Sequence, residues 1–248
     1  MSLPRRILLA AFLFVGAAQA QAADIRILCA GAYRPVLDAV VPPFEARSGN
    51  KVTIVTDTAG GVAARIARNE PFDIAILTPA TATEPERNAK IILVTPIASV
   101  GFGVGIKTGA PKPDLSTPEA FKATLLAAPS VAMIDPASGG TSGIYLAKVF
   151  EQMGIVDQMK PKLILTPGGL PAQQIVDGHA TLALGQASEI LAVKGVTLAG
   201  PLPGALQQRT VYVASMNPKA AEAPLILLAV LAAPETQALL KDKGMSPP

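Results

Sequence analysis

Hydrophobic and polar positions fall in short blocks whose period switches between that of a strand and that of a helix. Residues 25–30 form a β-rich run ending in Ala-Gly. Over residues 33–47 the apolar positions Val36, Leu37, Val40, Val41 and Phe44 lie close to one helical face. Pro42 and Pro43 sit inside this helix and are expected to distort it, and Gly49-Asn50 stops it. Residues 51–56 read as a second strand, Gly60-Gly61 opens a helix over residues 62–69, and residues 72–77 read as a third strand. Strands and helices alternating this closely predict a parallel α/β unit with short crossovers.

The run 91–106 breaks the rhythm. It is rich in β-formers, contains Pro96, Gly101, Gly103 and Gly105, and fits no helical period, so it reads as two extended pieces, part of which leaves the first unit. Pro111, Pro113 and Pro118 mark a linker and a helix start near Thr117. The alternation then resumes: helix 119–128, strand 130–135, helix 142–153 stopped by Gly154, strand 162–165, helix 172–178 and strand 180–184. A late extended run at 211–215 and helices at 220–232 and 234–243 close the chain. The expected architecture is α/β with two lobes, each a mostly parallel sheet with flanking helices. Lobe 1 takes 23–97 plus 211–248 and lobe 2 takes 98–210, with hinge crossings near 92–108 and 200–215. Ligands of open α/β sheets bind beyond the carboxyl ends of the strands, which here face a shared cleft.

The loops at those strand ends share a chemistry. They are Cys29-Ala30-Gly31-Ala32, Thr56-Asp57-Thr58-Ala59-Gly60-Gly61, Thr78-Pro79-Ala80 and Ser138-Gly139-Gly140-Thr141-Ser142-Gly143. Helix starts leave unpaired N–H groups and a partial positive charge, and small residues let an anion approach them. The side-chain candidates are Thr58, Thr78, Ser138, Thr141 and Ser142, with Gln186 beside them. The backbone candidates are Ala30, Gly31, Gly60 and Gly140. Several of these residues also suit plain helix capping. Six small residues in a row in the fourth loop exceed what a cap needs.

Composition narrows the classes. The chain has 248 residues, 50% hydrophobic and 16% charged, with one His, one Cys and no Trp. Disorder, an internal disulfide and a structural zinc site are thereby disfavoured. Arg5-Arg6, an uncharged apolar run over 7–15 and the small residues 16–22 form a secretory signal pattern over 1–22, too short to span a bilayer comfortably. Those residues hold two Arg and no acid, so the formal charge of +3 falls to 19 basic against 18 acidic residues after removal. With no basic cluster interleaved with aromatics, nucleic acid is a poor partner.

On these loops the chain resembles the molybdate-binding branch of periplasmic solute-binding proteins, the receptors of ABC importers. The strand and loop 27–32, the segment 58–68, the strand 72–77, the stretch 135–143 with Gly154-Ile155, and 200–203 with Gln207 carry the resemblance. It implies a two-lobed clamshell in the periplasm that captures a small anion, either an oxyanion such as molybdate or an organic di- or tricarboxylate. It also implies a permease partner, a monomer, no stable membrane insertion, no cofactor and no metal. Molybdate binders usually carry serines in the first two loops and a tyrosine on a late second-lobe strand. This chain has Ala30-Gly31, Thr58 and Leu184-Gly185-Gln186-Ala187-Ser188 there. An organic anion is therefore at least as credible, with Arg34, Arg65 or Arg209 available to grip a carboxylate. Some proteins of this superfamily are aconitate isomerases, cofactor-free enzymes that shift a double bond by proton transfer. That alternative requires a base, for which Tyr33, His179 and Glu189 are the candidates by type.

Overall fold

The computed structural model describes residues 22–248. Strand β1 (Asp24–Ala30) leads through a short 3-10 turn, Gly31–Tyr33, into helix α1 (Arg34–Ser48), followed by β2 (Lys51–Asp57), α2 (Ala59–Ala67), β3 (Ile74–Leu77), α3 (Pro79–Arg87) and the long β4 (Ile92–Lys107). The chain continues through α4 (Pro118–Ala127), β5 (Val131–Ile134), α5 (Thr141–Gln152), α6 (Val156–Met159), β6 (Leu163–Thr166), α7 (Gln173–Val176), β7 (Leu182–Gln186) and α8 (Ala187–Leu191). It ends with β8 (Val196–Pro201), β9 (Arg209–Met216), α9 (Glu222–Ala232), α10 (Pro234–Leu240) and β10 (Met245–Ser246).

The main sheet order is β2-β1-β3-β9-β4-β7-β5-β6, with β8 and β10 also pairing β4. β2-β1-β3 and β6-β5-β7 are the two parallel cores. Strand β4 belongs to both halves. Its first part pairs antiparallel with β9 as far as Gly101, and from Phe102 onward it pairs with β7, with β8 on its other side. The run expected as two extended pieces is thus one strand, with register shifts after Ile92 and after Pro96. The return crossing is stitched to the same point. The Gln207 side-chain amide accepts from the Phe102 N–H at 2.9 Å and donates to the Phe102 carbonyl at 2.8 Å.

Each sheet is covered on both faces, as parallel strands require. In the first half α1, α9 and α10 pack over Ile25, Ile27, Ile74 and Ile76, while α2 and α3 cover Leu28, Ala75 and Leu77. In the second half α4, α5 and α6 enclose Val131, Met133 and Leu184, and α7 and α8 pack on Ala132 and Ala183. Helix α1 runs unbroken through Pro42 and Pro43. Both prolines are exposed, as is Asp38, so the carbonyls they leave unpaired lie toward solvent, while buried Val36, Leu37, Val40, Val41 and Phe44 hold the helix to the sheet. Gly49, at φ 74°, supplies the left-handed cap that ends it. The secretory pattern at 1–22 lies outside the described residues except for Ala22.

Candidate functional site

The carboxyl ends of β1, β2, β5 and β7 converge on a narrow cleft of about 20 Å³. Its walls include Ala30 and Gly31 after β1, Asp57, Thr58 and Ala59 after β2, and Ile134 at the end of β5. Gly140, Thr141 and Ser142 open α5, Gly168-Gly169 follow β6, and Gln186, Glu189 and Tyr212 complete the lining. Of the residues expected from sequence, Ala30, Gly31, Thr58, Gly140, Thr141, Ser142, Gln186 and Glu189 therefore stand together.

The other expected residues lie elsewhere. Thr78 caps α3 in a reciprocal box with Thr81. Ser138 turns its hydroxyl back to the Asp135 carbonyl at 2.7 Å. Tyr33 is fully buried in the first-half core, its hydroxyl without a partner. His179 sits in an exposed turn beside Gln174. Gly60 meets the other half directly, its N–H donating to the Gly139 carbonyl at 3.1 Å. Beside it the Thr58 hydroxyl donates to the Ser138 carbonyl at 2.8 Å. The two halves thus touch across the cleft mouth, in a closed arrangement.

The arginines expected to grip a carboxylate are committed to other partners. Arg34 pairs with Asp38 at 2.6 Å and donates to Thr56. Arg65 bridges Asp57 at 2.7 Å and Glu70 at 2.8 Å. Arg209 binds the Ser99 hydroxyl and carbonyl. None of the three lines the cleft. Asp57 does, but its carboxylate is satisfied by Arg65 and by the Thr58 N–H at 2.8 Å.

The donors left for an anion are those of helix starts. No side chain caps α5, so the first-turn N–H groups at Thr141 and Ser142 face the cleft with the positive end of a 12-residue helix. In α2 the Thr58 side chain takes the Gly61 N–H and Gly139 takes that of Gly60, leaving Ala59.

Against these donors stands Glu189. It is 8% exposed, and its Oε2 is buried with no hydrogen-bond partner. Burial pushes its carboxyl up to about 7, opposed in part by the Gln186 backbone N–H. Near neutral pH the group therefore holds its proton or releases it readily, as a proton-transfer residue must. Tyr212 donates to Gln186 Oε1 at 2.9 Å, and Gln186 Nε2 donates to the Thr210 hydroxyl at 3.4 Å. Burial, then the nearby Glu189, holds the Tyr212 phenol well above its ordinary range.

Tyr212 was not legible as a site residue. The tyrosine expected on a late second-lobe strand is absent there; the one in the cleft comes from β9, beside β3 in the first half. Its only sequence signal is the two-residue alternation Thr210-Val211-Tyr212-Val213. Gly168-Gly169 were also missed, although Pro167-Gly168-Gly169 is a turn signature.

Cys29 lies one residue from this wall but is fully buried, and burial pushes its thiol far up. It is expected to resist thiol reagents in the native protein and to label only after unfolding. Stoichiometric labelling under native conditions would contradict that. Among the described residues no three His, Cys, Asp or Glu side chains come together to hold a metal.

A two-halved α/β fold closed over a cleft rimmed by helix starts is the architecture of a solute-binding protein. The chain belongs to a family of bacterial extracellular solute-binding proteins, whose pattern it matches over residues 25–246. It is 29% identical over 233 residues to an aconitate isomerase from a Pseudomonas species, an alignment covering 90% of this chain and 87% of the relative. In fold it is similar to the periplasmic molybdate-binding protein of Azotobacter vinelandii, with TM-score 0.75, 17% identity, and 90% and 99% of the two chains covered. It is also similar to the sulfate-binding protein of Mycobacterium tuberculosis H37Rv, with TM-score 0.72, 18% identity, and 91% and 87% covered.

Proposed function

We propose that this cleft binds a small polycarboxylate and shifts its double bond by proton transfer, an aconitate-isomerase-like activity that uses no cofactor. The observation that carries the reading is the Glu189 carboxyl, buried and unpartnered in the wall of an anion cleft. A carboxyl that burial lifts to about 7 can stay protonated as an anion enters and ionise to take a proton near neutral pH. For an isomerase it is the acid–base group. Glu189 takes a proton from the sp³ carbon next to a substrate carboxylate. The double bond moves by one carbon through an enolate-like anion, and a proton returns to the far end of the three-carbon unit. The substrate neither gains nor loses atoms. The helix starts at Ala59 and at Thr141-Ser142 hold carboxylates and stabilise the developing charge. The Pseudomonas relative supports this reading. The pattern at residues 1–22 supports export as the route to its place of action.

The family and the arginine-free cleft also favour a second reading, a receptor that delivers an anion to an ABC importer. Thermal stabilisation separates the two by ligand class. A ligand at one hundred times its Kd adds about 2.7 kcal/mol. The isomerase reading predicts stabilisation by cis- and trans-aconitate or citrate that exceeds any by molybdate, tungstate, sulfate or phosphate. Stabilisation by the inorganic oxyanions alone would remove it.

A further inference from the structure

We infer that Gly31 is a positioning residue of this cleft: the absence of a side chain there leaves the slot in which the Glu189 carboxyl faces a bound solute. The inference rests on the isomerase reading and deepens it. A Cβ placed on Gly31 would stand 3.1 Å from Glu189 Oε1, closer than carbon and oxygen normally approach. Its other neighbours, Thr56 Cγ2 at 3.9 Å and the Asp57 carbonyl at 4.0 Å, would be at ordinary contact distance. The carboxyl is therefore what restricts position 31. On its other side a Cβ at Gly185 would stand 3.6 Å from Oε2, again an ordinary contact, so the restriction belongs to Gly31.

The backbone gives no separate reason for glycine. Gly31 is not among the positive-φ glycines, and it begins a 3-10 turn whose conformation any L residue adopts. It also belongs to the first half of the molecule, after β1, whereas Glu189 is on α8, after β7 in the second. The slot is complete only with the two halves together.

A methyl group at 31 obliges the carboxyl to give by a few tenths of an ångström, out of line with the reacting carbon. A hydroxymethyl moves it and adds a donor to it. Elements packed against α8 carry the titratable groups Tyr33, Lys107, Lys241, Asp242 and Lys243, and Tyr212 faces it from β9. No ion pair joins Glu189 to any of them among the described residues.

The test uses Gly31→Ala and Gly31→Ser in the full protein, with trans-aconitate as the probe. Each is expected to lower kcat by about tenfold or more with a smaller change in KM, since misplacement of a reacting group acts on the chemical step. Adding Glu189→Asp, one methylene shorter, to Gly31→Ala should recover part of that loss relative to Glu189→Asp alone. That coupling is a readout a merely structural glycine would not give. An unchanged kcat in both Gly31 variants, or strictly additive effects in the double variant, overturns the inference.

An infrared titration keeps the slot testable apart from activity. The protonated-carboxyl band that disappears in Glu189→Gln should titrate at about 7 in the native chain. In Gly31→Ala its midpoint should move, because the methyl changes the packing around the carboxyl. A wild-type protein that converts no trans-aconitate defeats the isomerase reading, whereas an unmoved midpoint defeats the slot.

Discussion

Replacing Glu189 by Gln is expected to lower trans-aconitate conversion by about 10²–10⁴-fold, the usual contribution of a positioned acid–base group. The amide keeps the size and buried position of the carboxyl and removes only its capacity to exchange a proton. Stability should respond in the opposite sense. The native carboxyl titrates at about 7 against an ordinary 4.5, because burial disfavours its charged form. The folded state therefore binds this proton more tightly than the unfolded chain does. The associated stabilisation is complete below pH 4.5 and is lost as pH rises to about 7. The loss is on the order of 3 kcal/mol. Denaturant titrations at several pH values should show that slope in the native protein and its absence in Glu189→Gln. A variant that keeps activity within a few-fold would show that Glu189 is not the acid–base group, and one that keeps the slope would show that other groups cause it.

Gly60→Ala is expected to weaken ligand capture without weakening the fold. A Cβ at Gly60 would come within 2.8 Å of the Gly139 carbonyl and 3.0 Å of its Cα, both rigid backbone of the opposite half. The halves must then part, and the bonds Thr58 to Ser138 and Gly60 to Gly139 open together. At roughly 0.5–1.5 kcal/mol each, their loss lowers affinity for a cleft ligand by about one to two orders of magnitude. Alanine is the better helix former, so α2 itself is not harmed. The change reads out as a higher Kd at an unchanged or raised ligand-free melting temperature, with a larger radius of gyration in the presence of ligand. Native affinity in Gly60→Ala would mean that contact between the loop tips plays no part in trapping the solute.

The alternation of strands and helices was legible because each block carries its own period and its own stop signal. Gly49 and Gly154 end helices where the sequence places their ends. Boundaries failed where capping decided them. Thr58 starts α2 at Ala59, three residues before the apolar run that suggested it, because its side chain takes the Gly61 N–H. Helix α3 was missed because it is short and polar and contains Pro85; it holds through the Thr78–Thr81 box.

The helix-start loops of the site were legible as clusters of small residues. Two features were not. The role proposed for Glu189 depends on its burial, and nothing in Gln186-Ala187-Ser188-Glu189 announces that. The arginines looked available because their partners were not weighed with them: Asp38 lies one helical turn from Arg34, Asp57 and Glu70 flank Arg65 along the chain, and only Ser99 is remote in sequence from its partner Arg209.

The most direct test of the account is a time course of trans-aconitate with the purified protein at neutral pH, followed by proton nuclear magnetic resonance in deuterated water. The account predicts appearance of cis-aconitate with solvent deuterium entering at the carbons of the three-carbon unit, and neither change with Glu189→Gln. Unchanged trans-aconitate after hours at micromolar protein, with the same sample stabilised by molybdate or sulfate, would contradict it and leave an anion receptor.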